Sequence, residues 1–191
     1  MIRTVLYLHG FLSSPTGLKA GLVREECERR ALAFLAPNLN AEPMWVWQRI
    51  REILKMYEPG TVGIVGSSLG GFYAARLLND YAYRAVLINP AVRPWDFIEP
   101  FVGECKASDG RLVVVKKAYA EQLRKLKTVE LQDPLQVLVA LSTADEVLDW
   151  KEARKVFTGS PFLMLENENH AVSRFARYVS QVVDFLTERK G

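Results

Sequence analysis

The run Gly66-Ser67-Ser68-Leu69-Gly70 constrains this chain more than any other stretch. Before it lies a short apolar segment, Thr61 to Val65. After it, Leu69 onward is apolar nearly all round until Arg76. A buried strand that turns straight into a buried helix fits this pattern. A serine held on so sharp a turn presents its Oγ clear of the sheet. The turn crowds its neighbours, so Gly66 and Gly70 stand where a Cβ would clash. The first helical amides lack internal partners, and the Leu69 N–H is therefore free to help hold a developing oxyanion. The plain alternative is a glycine-rich turn around a buried serine, and the rest of the chain weighs against it by supplying partners.

A serine hydroxyl is a weak nucleophile at neutral pH and needs a base, which in turn needs an orienting acid. The chain has 2 histidines, so the base is nearly decided by counting. His9 follows the first apolar run, Thr4 to Leu8, in a His-Gly turn. It reads as an orienting residue beneath a loop. His170 lies in the loop Glu166-Asn167-Glu168-Asn169-His170, between the last strand-like run (Phe162 to Leu165) and an amphipathic terminal segment. The order serine, acid, histidine makes His170 the candidate base. The acid should follow a strand between the two. Asp145 follows Leu135 to Leu141 and is the first candidate. Glu146 is the fallback, and Asp149 has capping-box spacing to Glu152 that gives it a structural task. The loop His9-Gly10-Phe11-Leu12 would supply a second oxyanion amide, from Phe11 beside that of Leu69.

The remaining chain reads as strands alternating with helices. A helix is expected from Ser14-Pro15 to about Arg30, a strand over Ala31 to Ala36, and a helix opened by Pro43. A strand over Arg84 to Asn89 and a helix from Asp149 follow. A last helix is expected to begin soon after His170. The segment from about 91 to 132 breaks the alternation. It holds Pro94, Trp95, Phe97, Phe101, a Ser108 to Gly110 turn and a basic stretch, read as helical, from Leu112 to Lys127. We read it as a small lid insertion within a single domain, 1–191. The architecture implied is α/β, a mostly parallel sheet of about six strands covered by helices on both faces.

Composition removes other classes. The net charge of +3 is mild, and no concentrated basic face argues for nucleic acid. Cys27 and Cys105 make neither a disulfide framework nor a metal spacing. The apolar N-terminal run is broken by His9-Gly10 and reads as a strand, not a signal peptide, and no stretch approaches a membrane span. A cytoplasmic location is the expectation, with no metal and no cofactor.

The motifs LYLHGFLSSP, GSSLGGFYA, ADEVLDW and NENHAVSRF resemble, in order and over nearly the whole chain, the YqiA-type small bacterial esterases of the α/β-hydrolase superfamily. The resemblance implies a reduced α/β-hydrolase fold and a carboxylesterase acting through Ser68, Asp145 and His170. Its substrates would be acyl esters or acyl-CoA thioesters. Two departures from the superfamily pattern stand out: Ala144 precedes the acid where glycine is common, and Asn-Glu-Asn replaces a glycine-rich approach to the histidine. A non-catalytic binding protein on the same fold is the rival of another class. Trp45, Trp47, Trp95, Phe97 and Phe101 are candidates to line an acyl pocket, against the blander role of core packing. The basic residues Arg111, Lys116, Lys117, Arg124, Lys125 and Lys127 read first as a solvated face.

Overall fold

The computed structural model describes residues 1–128 and 130–188. Six strands form one parallel sheet. They are β1 (Thr4–Leu8), β2 (Ala33–Leu35), β3 (Val62–Ser67), β4 (Arg84–Ile88), β7 (Val137–Ser142) and β8 (Phe162–Leu165), in the order β2-β1-β3-β4-β7-β8. The central strands are apolar on both faces, as a sheet covered on both sides requires. Alternate residues divide between two cores. Leu6, Leu8, Ile64, Leu87 and Val139 face helices α2 (Pro43–Lys55), α3 (Leu69–Asp80) and α5 (Trp150–Val156). Val5, Tyr7, Val65, Val86 and Ala140 face α1 (Leu18–Arg29) and α6 (Val179–Thr187). The crossovers leave β1 and β3 in opposite directions along the sheet. A crevice therefore opens at the carboxyl ends of these two strands, where parallel sheets bind ligands. His9-Gly10-Phe11 and Ser68 lie at those ends.

The structure departs from the sequence reading in three places, each for a local reason. Helix α1 begins at Leu18 and not at Ser14-Pro15. Ser14 to Gly17 forms its own turn, closed by the Gly17 N–H on the Ser14 carbonyl at 3.2 Å, with proline and glycine at the positions a tight turn prefers. Leu112 to Val115 is not helical. This β-branched run forms strand β6 (Leu112–Val115), antiparallel to β5 (Gly103–Lys106) across the Ser108–Gly110 turn. The helix that follows, α4, is limited to Ala118–Lys125. The terminal helix starts only at Val179, because residues 166–178 are held by side chains in turns and a short 3₁₀ segment, Phe175–Arg177. Among the basic residues, Arg111 pairs with Asp109, and Lys125 pairs with Glu121 at 2.9 Å on an exposed surface.

Candidate active site

Ser68 sits between β3 and α3 with φ 53° and ψ −117°, a backbone conformation that non-glycine residues rarely adopt. The surrounding chain enforces it. The Ser68 N–H donates to the Ile88 carbonyl at 2.9 Å, and its own carbonyl accepts from the Phe72 and Ala91 amides at 3.1 Å. The flanking glycines are sterically required. A Cβ on Gly70 would lie 2.0 Å from the Leu8 carbonyl oxygen, and one on Gly66 would lie 2.6 Å from the Gly70 carbonyl oxygen. Both obstacles are backbone and cannot swing aside. Gly70→Ala is therefore expected to cost at least about 3 kcal/mol, because β1 and the elbow must separate to admit one methyl group. Urea unfolding would show this as a lower midpoint with little change in slope.

His170 and Asp145 meet Ser68 in one line. The Ser68 Oγ is 3.0 Å from His170 Nε2, and His170 Nδ1 is 2.8 Å from Asp145 Oδ2. The Asp145 side chain is only 1 % exposed. Burial pushes its carboxyl upward. The His170 hydrogen bond and the Leu148 and Val147 amides, each at 2.8 Å, outweigh this and leave it below the usual carboxylate range. The two alternative acids take other partners. Glu146 accepts the His170 backbone N–H at 2.9 Å, and Asp149 caps α5 by accepting the Lys151 N–H at 2.9 Å. The anticipated cap on α5 is thus present, and Glu146 anchors the histidine loop without touching the imidazole.

The loop after β1 passes directly over Ser68. A Cβ on Gly10 would come within 3.2 Å of the Ser68 Cβ. Among the described residues, neither the Phe11 nor the Leu69 amide donates to an acceptor within the protein. Both therefore keep an unused donor. His9 is buried below this loop. Its Nε2 accepts the Leu39 N–H at 2.9 Å and its Nδ1 donates to the Gly10 carbonyl at 2.8 Å, which fixes a neutral imidazole with the proton on Nδ1. Burial holds its pKa below the ordinary histidine value, against the smaller pull of its hydrogen bonds. His9 is a structural latch for the Gly10-Phe11 turn.

Three supporting residues carried no recognisable motif. Asn89, at φ 42° after β4, donates to Ser142 Oγ at 2.8 Å and to the His170 carbonyl at 3.0 Å, and accepts the Ser142 N–H at 2.8 Å. It ties the ends of β4 and β7 to the histidine loop. Glu168, 1 % exposed, pairs with Arg174 at 2.6 Å and closes that loop on itself. The only sequence sign of Asn89 was a polar residue before Pro90 at a strand end. That of the ion pair was a carboxylate and an arginine flanking the histidine.

Two cavities meet at Ser68. One, of about 220 Å³, is largely apolar. Its walls include Phe97, Ile98, Phe101, Leu123 and Leu148, with Phe11 edge-on to Phe101 at 5.2 Å. The other, of about 370 Å³, is bordered by Gly10, Ser13, Ser14, Lys19, Ala171 and Ser173, among others. Of the aromatic candidates, Phe97 and Phe101 line the apolar cavity. Trp95 packs on Phe72 at 6.3 Å and borders a separate cleft, Trp47 is buried in the core, and Trp45 is exposed. Cys27 is a buried free thiol raised to about 11 by burial, and Cys105 is also free. Among the described residues no cluster of three His, Cys, Asp or Glu could hold a metal, and no described helix is long and apolar enough to cross a membrane.

Sheet order, elbow and loop placement are those of an α/β hydrolase, and solved structures of that fold superpose over most of the chain. A protein of Agrobacterium vitis S4 is 19% identical with a TM-score of 0.75, covering 97% of this chain and 88% of its own. Est1E from Butyrivibrio proteoclasticus is 15% identical with a TM-score of 0.68, covering 95% and 85%. The mouse alpha/beta hydrolase domain-containing protein 10 is 17% identical with a TM-score of 0.69, covering 96% and 90%. At these identities the likeness establishes the fold. The chain belongs to the family described as "Uncharacterised protein family (UPF0227)", whose model matches residues 4–187 and which is the YqiA family that the motifs resemble.

Proposed function

We propose that this protein is a serine carboxylesterase in which Ser68 is the nucleophile, His170 the general base and Asp145 its orienting acid. The observation that carries the reading is the continuous pair of contacts, 3.0 Å and 2.8 Å, from Ser68 through His170 to Asp145. The geometry suits proton transfer in both directions. Ser68 Oγ attacks the acyl carbonyl as its proton passes to His170 Nε2. The Phe11 and Leu69 amides hold the oxygen that becomes negative. Asp145 keeps the Nδ1–H tautomer and stabilises the imidazolium without taking the proton. Collapse of the tetrahedral species expels the alcohol, which leaves with the proton from His170. Water then attacks the acyl-serine, giving its proton to His170, and the acid departs.

The apolar cavity fits the acyl chain. Its volume of about 220 Å³ is below the ~300–1,000 Å³ typical of drug-sized ligands, which favours short acyl groups. Phe97, Ile98, Phe101 and Leu123, all from the stretch read as a lid, serve as its cover. Support also comes from neighbours of the fold that bear esterase names, including an esterase domain from Rhodothermus marinus.

The test is hydrolysis of p-nitrophenyl esters across a chain-length series, with butyryl-CoA as the thioester comparison and an alkyl fluorophosphonate as an active-site label. The expected result is a maximum at short acyl length, with the label found on Ser68 by peptide mass mapping. An unlabelled protein that turns over no ester or thioester would overturn the reading and favour a binding role.

A further inference from the structure

The second cavity at Ser68 has a chemistry of its own. Ser13, Ser14 and Ser173 are among its lining residues, and none of those residues is a carboxylate. Lys19 is the one lysine or arginine there. Its ammonium donates to the Ala171 carbonyl at 2.6 Å, next to His170, and forms no ion pair with any described carboxylate. An ammonium carries three donors, so donors remain for a ligand. Helix α1 also begins at this wall with no acidic residue in its first turn, so its end adds to the positive potential.

Resting on the esterase reading, we propose that this cleft holds the alcohol half of the substrate and that Lys19 selects alcohols bearing a carboxylate close to the ester oxygen. A half-buried ammonium that feels Asp145 only at a distance, with no direct ion pair, would gain one from such a substrate. One lysine charge matches a singly charged carboxylate. Lys19, Ala171, His170 and Ser68 line the same cavity, so an anion held by the ammonium shares it with the ester. Lys19 is thus a specificity-determining residue for the leaving group, while the apolar cavity sizes the acyl group.

The titration behaviour of the site agrees. Burial lowers the Lys19 ammonium to about 8, and the Asp145 charge opposes this. Asp145, His170 and Tyr7 are the titratable groups around it. Asp145 is held below the usual carboxylate range, and burial pushes the Tyr7 phenol upward, beyond the relevant interval. The selectivity should therefore be present below pH ~8 and fade above it, as the free enzyme's Lys19 loses its proton.

The experiment compares butyrylglycolate with its neutral isostere, butyrylglycolamide, as a ratio of kcat/KM within each variant. Any general loss from disturbing the Ala171 contact cancels in that ratio. The parent should prefer the anion by about tenfold, the scale of one charge-assisted hydrogen bond. Lys19→Met and Lys19→Gln should bring the ratio near one, and Lys19→Arg should keep most of it. A parent ratio near one, or a Lys19→Met variant that slows both substrates equally, would overturn the proposal. Calorimetric binding of the two compounds to Ser68→Ala and to Ser68→Ala/Lys19→Met gives the same comparison without turnover. The anion should bind more tightly only to the former. If Ser68 proved not to be the nucleophile, this binding arm would still decide the role of Lys19.

Discussion

Ser68→Ala is expected to lower kcat on a short-chain ester by roughly 10⁵–10⁶-fold, as removal of a nucleophile within a cooperating triad does. KM should change little, because the apolar cavity and the Phe11 and Leu69 amides are untouched. The fold should survive. The backbone bonds that hold the turn run through the Ser68 N–H and carbonyl, to Ile88, Phe72 and Ala91, and alanine keeps all of them. The side chain's own contact is the hydrogen bond to His170, worth about 1 kcal/mol of stability. A melting temperature within a few degrees of the parent, together with collapsed turnover, separates chemistry from folding. Residual activity close to the parent would point to a different nucleophile, and Ser67, Ser13 and Ser14 are near enough to be tested in turn.

The parts legible in the sequence were those where sterics or scarcity leave few choices. The elbow announces itself because backbone atoms at 2.0–2.6 Å exclude any Cβ from Gly70 and Gly66. The parallel sheet was legible because its strands are apolar on both faces. His170 stood out because there are 2 histidines and the other lies buried beneath a loop. Features set by tertiary contact were not legible. Leu112 to Val115 carried a local strand signal in its β-branched run, but the basic stretch that follows made it read as the start of a helix, and pairing with β5 decided it. The delay of α6 to Val179 depends on Glu168 meeting Arg174 and on Asn169 accepting the Ser173 amide at 3.1 Å, contacts between residues that each read in the sequence as solvent-facing loop groups. The role of Asn89 needs three chain segments at once. Lys19 is silent in the sequence for the same reason: its contact with the Ala171 carbonyl joins residues 152 positions apart.

Asp145→Asn should reduce kcat/KM by about 10⁴-fold while leaving the site assembled. The asparagine Oδ1 can still accept the Val147 and Leu148 amides, both at 2.8 Å to Asp145 Oδ1, so the side chain stays in place. Its Nδ2 then faces His170 Nδ1, donor against donor. The imidazole escapes this clash by moving its proton to Nε2, the nitrogen that must accept the Ser68 proton. The base is thus blocked by tautomer with its position unchanged. Two controls separate this from damage to the loop. Asp149→Asn should behave as the parent, since asparagine is as good an N-cap as aspartate. Glu146→Gln keeps an oxygen for the His170 amide and should cost no more than about tenfold, through looser placement of the loop. The pH profiles carry a further distinction. The Asp145 carboxyl is held below its usual range, so it stays ionised through mild acid. An acid limb in the parent's profile is therefore not the titration of Asp145. Should Glu146→Gln fall as far as Asp145→Asn, orientation of the histidine would rest on its backbone anchor as much as on its ring, and the assignment of Asp145 as the orienting acid would have to be withdrawn.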